Sequence, residues 1–370
     1  MGTAVCAVTS RADMGRFIRY PLALYADAPL FVPHLLSERK RFFGPSNPLF
    51  AFTEVCYLLA RDDSGRLVGR TSAHVNRRHN QYWDDRTGFF GFFECERDAG
   101  VARALLAGAE DWLRARGMDA VRGPLNFSTN EECGFLAEGF DRPPSFMMPY
   151  TKPYYPDLMA ECGYRGAMDL VAYEYDRQGA IPERVARYAD RAARAGAVVR
   201  PVDMRRFEAD VRAAFTVYND AWARNWGFVP MSEPQFAHMA RELKSIVEPS
   251  FALIAEVDGR PVGFLLALPD YNTVLKRMNG RLWPLGIFRF LLARRRMHRV
   301  RVLTMGVVPE LRRRGIEMAL IYQMFRNGYE RGYDEGEFSW VLEDNVLMRR
   351  VLERFGARAT KTYRIFEKAL

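Results

Sequence analysis

The chain carries one pattern twice, so its fold must be one that can be built twice. Arg97, Gly100 and Gly117 recur at identical spacing as Arg312, Gly315 and Gly332. Each set runs into a matching exit, Arg116-Gly117-Met118-Asp119 and Arg331-Gly332-Tyr333-Asp334. Ahead of each stands a Gly-Arg-x-Val-Gly turn, Gly65 to Gly69 and Gly259 to Gly263. Agreement at three separated points implies a duplicated domain. The 370 residues suffice for two cores. Asp176 to Glu183 reads as the boundary, giving domains 1–180 and 181–370.

Both halves predict the same α/β plan, a mostly antiparallel, mixed sheet flanked by helices. In the first, strands are expected at 3–9, 54–61, 66–75, 88–95 and 120–127, with a helix at 14–25. A second helix follows Arg97, where Val101, Leu105, Trp112 and Leu113 share one face, and Gly117 ends it. In the second half, strands are expected at 198–202, 250–256, 261–268, 301–308, 337–342 and near 363–366. Helices are expected within 207–224 and 234–246, after Arg312, and at 346–355. The first half also carries an irregular, Pro- and aromatic-rich stretch, 128–155, which suits either a plug for its own domain or a substrate-facing lid.

The formal charge of +9 fits anionic partners such as CoA, lipid headgroups or RNA. Five cysteines without a C-x-x-C pair argue against a disulfide framework or zinc site, and the five scattered histidines indicate no metal role. Neither a signal peptide nor an apolar run long enough to span a bilayer is present. The expected location is cytoplasmic, or peripheral on the cytoplasmic membrane face.

The sharpest motif is the strand Arg301 to Val308 followed by Pro309-Glu310-Leu311-Arg312-Arg313-Arg314-Gly315-Ile316. Gly315 permits a tight turn and close approach to an anion. The free N–H groups of the first helical turn favour a pyrophosphate, and Arg312, Arg313 and Arg314 add charge suited to phosphate oxygens. This segment resembles the acyl-CoA-binding motif of the GCN5-related N-acetyltransferase (GNAT) superfamily, Arg/Gln-x-x-Gly-x-Gly/Ala. Asn345, with Gly356 further on, resembles that superfamily's Asn-to-Gly-Phe segment. The resemblance covers 200–370 well, and 1–176 as a more diverged copy.

The resemblance implies acyl-CoA as co-substrate, with no permanently bound cofactor, and direct attack of an amine on the thioester. It places Gly306, Val307 and Val308 at the splayed phosphate strand, where the backbone N–H groups of Gly306 and Val307 would polarise the thioester carbonyl. Glu343 and Asp344, or Asp270, would take the amine's proton. Two departures stand out. Glu317 occupies the last Gly/Ala position of the motif. Leu352 occupies the place where many members carry the tyrosine that protonates the leaving thiolate, which a low thiol pKa also allows to leave unassisted. In the first copy Arg97, Gly100 and Ala102 keep the motif, but Glu94, Glu96 and Asp98 would repel a pyrophosphate. That copy reads as degenerate for CoA binding, and the second as catalytic.

Between Asp270 and Glu310 there is no acidic residue and there are nine basic ones, around Leu282-Trp283-Pro284-Leu285-Gly286-Ile287-Phe288. Such an insertion, 276–301, suits an anionic membrane surface. The alternatives are a core helix with a solvated basic end and, least favoured, RNA contact; nothing points to DNA. Tandem domains with this insertion resemble the bacterial ceramide-synthase group, which implies an amino lipid such as a sphingoid base as acceptor. Two other functions stay open: transfer from aminoacyl-tRNA, as tandem relatives of this fold perform, and a non-catalytic acyl-CoA- or lipid-binding protein.

Overall fold

The computed structural model describes residues 2–176, 181, 183–278, 280 and 297–370. They form two compact units. The first comprises 2–170, 272–278, 280 and 361–370; the second comprises the remaining described residues between 171 and 360.

In the first unit β1 (Thr3–Ala7), β2 (Thr53–Asp62), β3 (Leu67–Asn76), β4 (Thr87–Cys95) and β5 (Ala120–Gly123) lie side by side in chain order. Residues 361–369 of the chain's last strand, β13 (Arg358–Ala369), come next and also pair with β6 (Phe135–Glu138). Every pairing is antiparallel except β4 with β5. The second unit repeats the scheme with β8 (Ala197–Pro201), β9 (Ala252–Val257), β10 (Arg260–Pro269), β11 (Arg299–Val307) and β12 (Glu335–Leu342). Residues Val171–Asp176 of β7 (Arg165–Asp176) lie beside β12. Here β8 to β11 pair antiparallel and β11 with β12 parallel. The fold is a mixed α/β fold with a mixed sheet, and neither unit is contiguous in the chain.

The recurring glycines mark the same joint in both units. Helix α4 (Ala99–Arg114) buries Val101, Leu105, Leu106, Ala109 and Leu113. At its end Gly117 adopts φ +74, its N–H donating to Arg114 O and that of Met118 to Leu113 O. This closes the helix's last carbonyls in a Schellman motif, for which glycine is favoured. Helix α10 (Ile316–Glu330) ends likewise: Gly332 has φ +78, and Tyr333 N–H donates to Gly328 O.

Other helices are α1 (Arg11–Leu24), α2 (Leu36–Phe42), α3 (Arg77–Trp83) and α5 (Tyr155–Glu161) in the first unit. The second has α6 (Glu183–Arg194), α7 (Phe207–Trp222), α8 (Glu233–Leu243) and α11 (Val346–Phe355), while α9 (Asn272–Met278) belongs to the first. The strand expected at 120–127 stops at Gly123, because the chain then leaves the ladder. No helix among the described residues is long and apolar enough to cross a membrane. The apolar, Arg-rich part of the insertion, 281–296, lies outside the described residues. Arg299 and Arg301, counted among its cations, are committed to the fold: both sit in β11 and bind neighbouring side chains.

Imidazoles with lowered pKa values make the first unit acid-sensitive, His34 (about 4) among them. His74, fully buried against Phe89 and Phe127, has its pKa pushed down to about 3 by loss of solvent. Burial likewise takes His79 down to about 4, against the pull of Asp85. In the unfolded chain both protonate near 6.5, so unfolding takes up protons below that pH. The stability they contribute is complete above pH ~6.5 and is lost as pH falls, at ~1.4 kcal/mol per pH unit for each imidazole. Thermal unfolding followed from pH ~8 to ~4 should show a level stability that declines below ~6.5, with His74→Leu making the decline shallower. A slope unchanged in that variant would contradict the assignment.

Candidate functional site

β11 and β12 are zipped only at their start. Their register runs from Arg299↔Glu335 to Val302↔Phe338 and ends, although the strands continue to Val307 and Leu342. Charge holds the zipped end. The Arg299 guanidinium lies 3.1 Å from Glu337, 2.7 Å from Glu174 and 3.6 Å from Asp270. Burial alone would weaken its hold on the proton, but these carboxylates outweigh that and raise its pKa above the ordinary value. At the next step Arg301 Nε donates to Ser339 Oγ at 2.8 Å and Nη2 to Ser339 O at 3.0 Å. A side chain thus answers the first carbonyl past the ladder. Beyond it lies an open cavity of about 90 Å³, walled by residues 302–305 of β11 and 338–342 of β12. Trp222, Asn225, Asn345, Met348 and Leu352 complete the lining.

The edge of β11 that faces this opening can be read from its other edge. Val308 N–H donates to Val262 O of β10. Backbone groups alternate sides along a strand, so Gly306 N–H also faces β10, while those of Val307 and Met305 face the opening. Gly306 has a different part in the site: a Cβ there would stand 2.5 Å from Trp222 Cη2. Only glycine lets the indole lie against the strand.

After β11 and a short 3₁₀ turn, Pro309–Leu311, the backbone takes left-handed conformations at Arg313 (φ 64) and Gly315 (φ 87) before entering α10. No side chain caps α10 at Gly315, which leaves first-turn N–H groups available to an anion. The three arginines divide their work. Arg312 donates through Nε to Val307 O at 3.1 Å and through Nη2 to Ala221 O at 2.5 Å, clipping the end of β11 to the end of α7. Arg313 and Arg314 are exposed beside the turn.

The structure brings most of the sequence-derived residues to this place. Val307, Val308 and Ile316 are buried where strand and helix join the turn. Asn345 lines the cavity while its Oδ1 accepts from Met348 N, capping α11. Glu343 and Asp344 are exposed in the turn between Leu342 and Asn345, both lining residues. Asp270 goes elsewhere: it is buried beside Arg299 and is not part of the cavity wall. The described lining residues include no titratable carboxylate or imidazole. Sequence reasoning missed Thr304, Phe338 and Met348, which come from three elements and share no local signal.

In the first unit the corresponding opening is filled by the unit itself. The β4–β5 ladder stops at Phe89↔Arg122. Leu125 N–H then donates to Phe90 O at 2.9 Å, and Asn126 Oδ1 accepts from Phe92 N at 2.8 Å. Tyr155 OH accepts from Cys95 N at 3.1 Å, and Tyr154 OH donates to Cys95 O at 2.8 Å. Of the Pro- and aromatic-rich stretch, Tyr154 and Tyr155 take part in this filling. At the N-terminus of α4, Asp98 Oδ1 accepts from Gly100 N at 2.7 Å and from Val101 N at 3.2 Å. A carboxylate of the chain itself occupies the place an anion would take.

The model of the Acetyltransferase (GNAT) family matches residues 212–357. The chain is 36% identical to a protein of Caulobacter vibrioides (strain NA1000 / CB15N) named bacterial ceramide synthase, over 99% of this chain and 97% of that protein. It is 33% identical to Protein YghO of Escherichia coli (strain K12), over 98% of this chain and 94% of that protein. Among solved structures, a tandem GNAT protein from the clavulanic acid biosynthesis pathway is similar in fold, with a TM-score of 0.56 at 14% identity, covering 100% of this chain and 98% of that one.

The contrast between the two turns generates a paired test. Gly315→Ala forces a side chain into a left-handed conformation, 3.0 Å from Tyr188 O, and should abolish measurable CoA binding in calorimetry. Asp98→Ala should cost about 0.5–2 kcal/mol of stability through loss of a cap and leave CoA binding as it was. CoA binding lost in the Asp98 variant but kept in the Gly315 variant would reverse the assignment of the two units.

Proposed function

The chain belongs to the GNAT acetyltransferase family and is an N-acyltransferase, and we propose that it moves an acyl group from acyl-CoA to the primary amine of a lipid such as a sphingoid base. The family uses acetyl- or acyl-CoA as co-substrate. The observation that carries the donor is the uncapped turn at Gly315 leading along an open strand edge to a cavity. The capped and plugged equivalent in the first unit supports assigning donor binding to the second alone. For the acceptor, support comes from the 36% identical relative named bacterial ceramide synthase. The cations of 276–296 would add attraction to an anionic membrane, about 1 kcal/mol for each one near the surface.

In this reading the first-turn N–H groups of α10 and the exposed Arg313 and Arg314 hold the pyrophosphate. The Val307 N–H polarises the thioester carbonyl and stabilises the oxyanion formed on attack. The neutral amine adds to the carbonyl carbon, and the C–S bond breaks as the amide forms. Glu343 or Asp344, at the cavity rim, accepts the amine's proton directly or through water. Leu352 at the usual tyrosine position leaves the thiolate to depart as the anion and take its proton from solvent.

Thiol release from acyl-CoA, measured with a sphingoid base and with a soluble amine of similar pKa, tests the acceptor. Turnover is expected with the lipid amine and background with the soluble one; the reverse would return the acceptor to a small amine. Of Glu343→Gln and Asp344→Asn, the one that removes the base should lower kcat by about 10²–10⁴-fold with unchanged CoA affinity. Arg313→Glu with Arg314→Glu should raise KM for acyl-CoA and leave the acceptor's KM alone.

A further inference from the structure

We infer that Arg349 is a positioning residue for the reaction: it fixes the turn that carries Glu343 and Asp344, so that a carboxylate stands where the acceptor amine gives up its proton. This rests on the acyl-transfer reading above and adds to it the residue on which the proton acceptor depends. The turn joins β12 to α11 at the rim of the cavity, between Leu342 and Asn345, and both of its carboxylates are exposed. A proton acceptor must come within hydrogen-bond reach of the amine, and a group misplaced by about 1 Å can cost about a hundredfold in rate. Exposed side chains on a short turn meet that demand only if the backbone beneath them is held.

It is held, and at one point by a side chain. Leu342 O accepts from Asn345 N at 3.0 Å, Asp344 O from Val346 N at 2.8 Å and Asn345 O from Arg349 N at 3.1 Å. Glu343 O accepts instead from Arg349 Nη1 at 2.9 Å. The guanidinium reaches back over the first turn of α11 to do so, and its Nε donates to Tyr173 OH, also at 2.9 Å. That phenol belongs to a fully buried residue of β7 and donates its own proton to Glu353 Oε1 at 3.3 Å. The rim is thereby tied to a buried point of the sheet rather than to the exposed end of a helix.

Charge and shape both single out this side chain. The pKa of Arg349 is raised, first by the Tyr173 hydrogen bond and then by the negative charges of Glu353 and Glu343. The guanidinium therefore stands within electrostatic reach of the Glu343 carboxylate while it holds the Glu343 carbonyl. Its planar fork sets two donors at a fixed separation, whereas a lysine ammonium on a flexible stem could serve only one of the two acceptors at a time. Arg350, the next residue of α11, is exposed and supplies an equal charge one step away, which separates the effect of charge from that of position.

Thiol release from acyl-CoA, with whichever of the two amines above is turned over, tests this on the full chain with Arg349→Met, Arg349→Lys, Tyr173→Phe and Arg350→Met. Arg349→Met should lower kcat by about tenfold to a hundredfold and leave KM for acyl-CoA and calorimetric CoA affinity unchanged. Arg349→Lys, which keeps the charge and loses the fork, should not restore kcat. Arg350→Met should behave as wild type. Combined with whichever of Glu343→Gln and Asp344→Asn lowers kcat, Arg349→Met should cost little more, because the group it positions is already gone. Should Arg349→Met fail to fold, Arg349→Lys and Tyr173→Phe loosen the same link, and each should lower kcat at unchanged KM for acyl-CoA. An unchanged kcat in folded Arg349 variants, a kcat restored by lysine, an equal loss in Arg350→Met, or a loss that multiplies with that of the carboxylate variant would overturn the inference and leave the acyl-transfer reading intact. If neither carboxylate variant lowers kcat, the proton-acceptor assignment and the inference fall together. If the wild type turns over neither amine, the acyl-transfer reading falls with them.

Discussion

Two parallel strands that pair for a few residues and then part leave backbone N–H and C=O groups facing a gap, and such groups must find partners. Much else in each unit follows from how the gap is answered. In the second unit the ladder ends at Val302 and Phe338, Arg301 takes the first carbonyl beyond it, and the groups further on face a cavity. In the first unit the ladder ends at Phe89 and Arg122, and Leu125, Asn126, Tyr154 and Tyr155 answer the strand directly. The same break in the same sheet yields a site in one copy and a packed core in the other.

The scaffold was legible because its signals are local. Gly117 and Gly332 could be read as helix ends since a left-handed residue is needed there, and strand pairs around Gly65 and Gly259 announced themselves through turn chemistry. Helix α6 was not legible: its buried stripe is Val185, Ala189 and Ala192, and alanine leaves little mark on a hydrophobic pattern. Of the site, the turn at Gly315 and the cap at Asn345 were visible as motif residues. The rest of the cavity wall was not, because Thr304, Phe338 and Met348 meet only once the strands part. Asp270 shows the opposite error. A carboxylate at a strand end resembles a catalytic base in sequence, and nothing local reveals that Arg299, far along the chain, has claimed it.

In sequence, the acidic residues around the first turn speak against a pyrophosphate there by repulsion, and the structure adds a more specific feature. Asp98 does not merely repel an anion; it stands in for one by accepting the helix's free N–H groups. Capping in this way stabilises the helix and consumes the donors a phosphate would need. Gly315 supplies no such cap, so the second unit forgoes that stabilisation. An open anion site and a well-capped helix are mutually exclusive uses of the same four N–H groups.

That exclusion explains where arginine is needed in the open copy. A gap between strands cannot hold its own walls apart, and three arginines fasten the backbone around it. Arg299 gathers Glu174, Asp270 and Glu337 at the closed end; Arg301 bridges to Ser339 at the point of parting; Arg312 joins Val307 to Ala221 at the far end. Arg301 and Arg312 each use two nitrogens of one planar group on two acceptors, a fork that a lysine ammonium on a flexible stem does not reproduce. Composition alone makes the abundance of arginine look like a bias without purpose. At these three positions it is what keeps an opening of fixed width in a sheet whose other copy has closed.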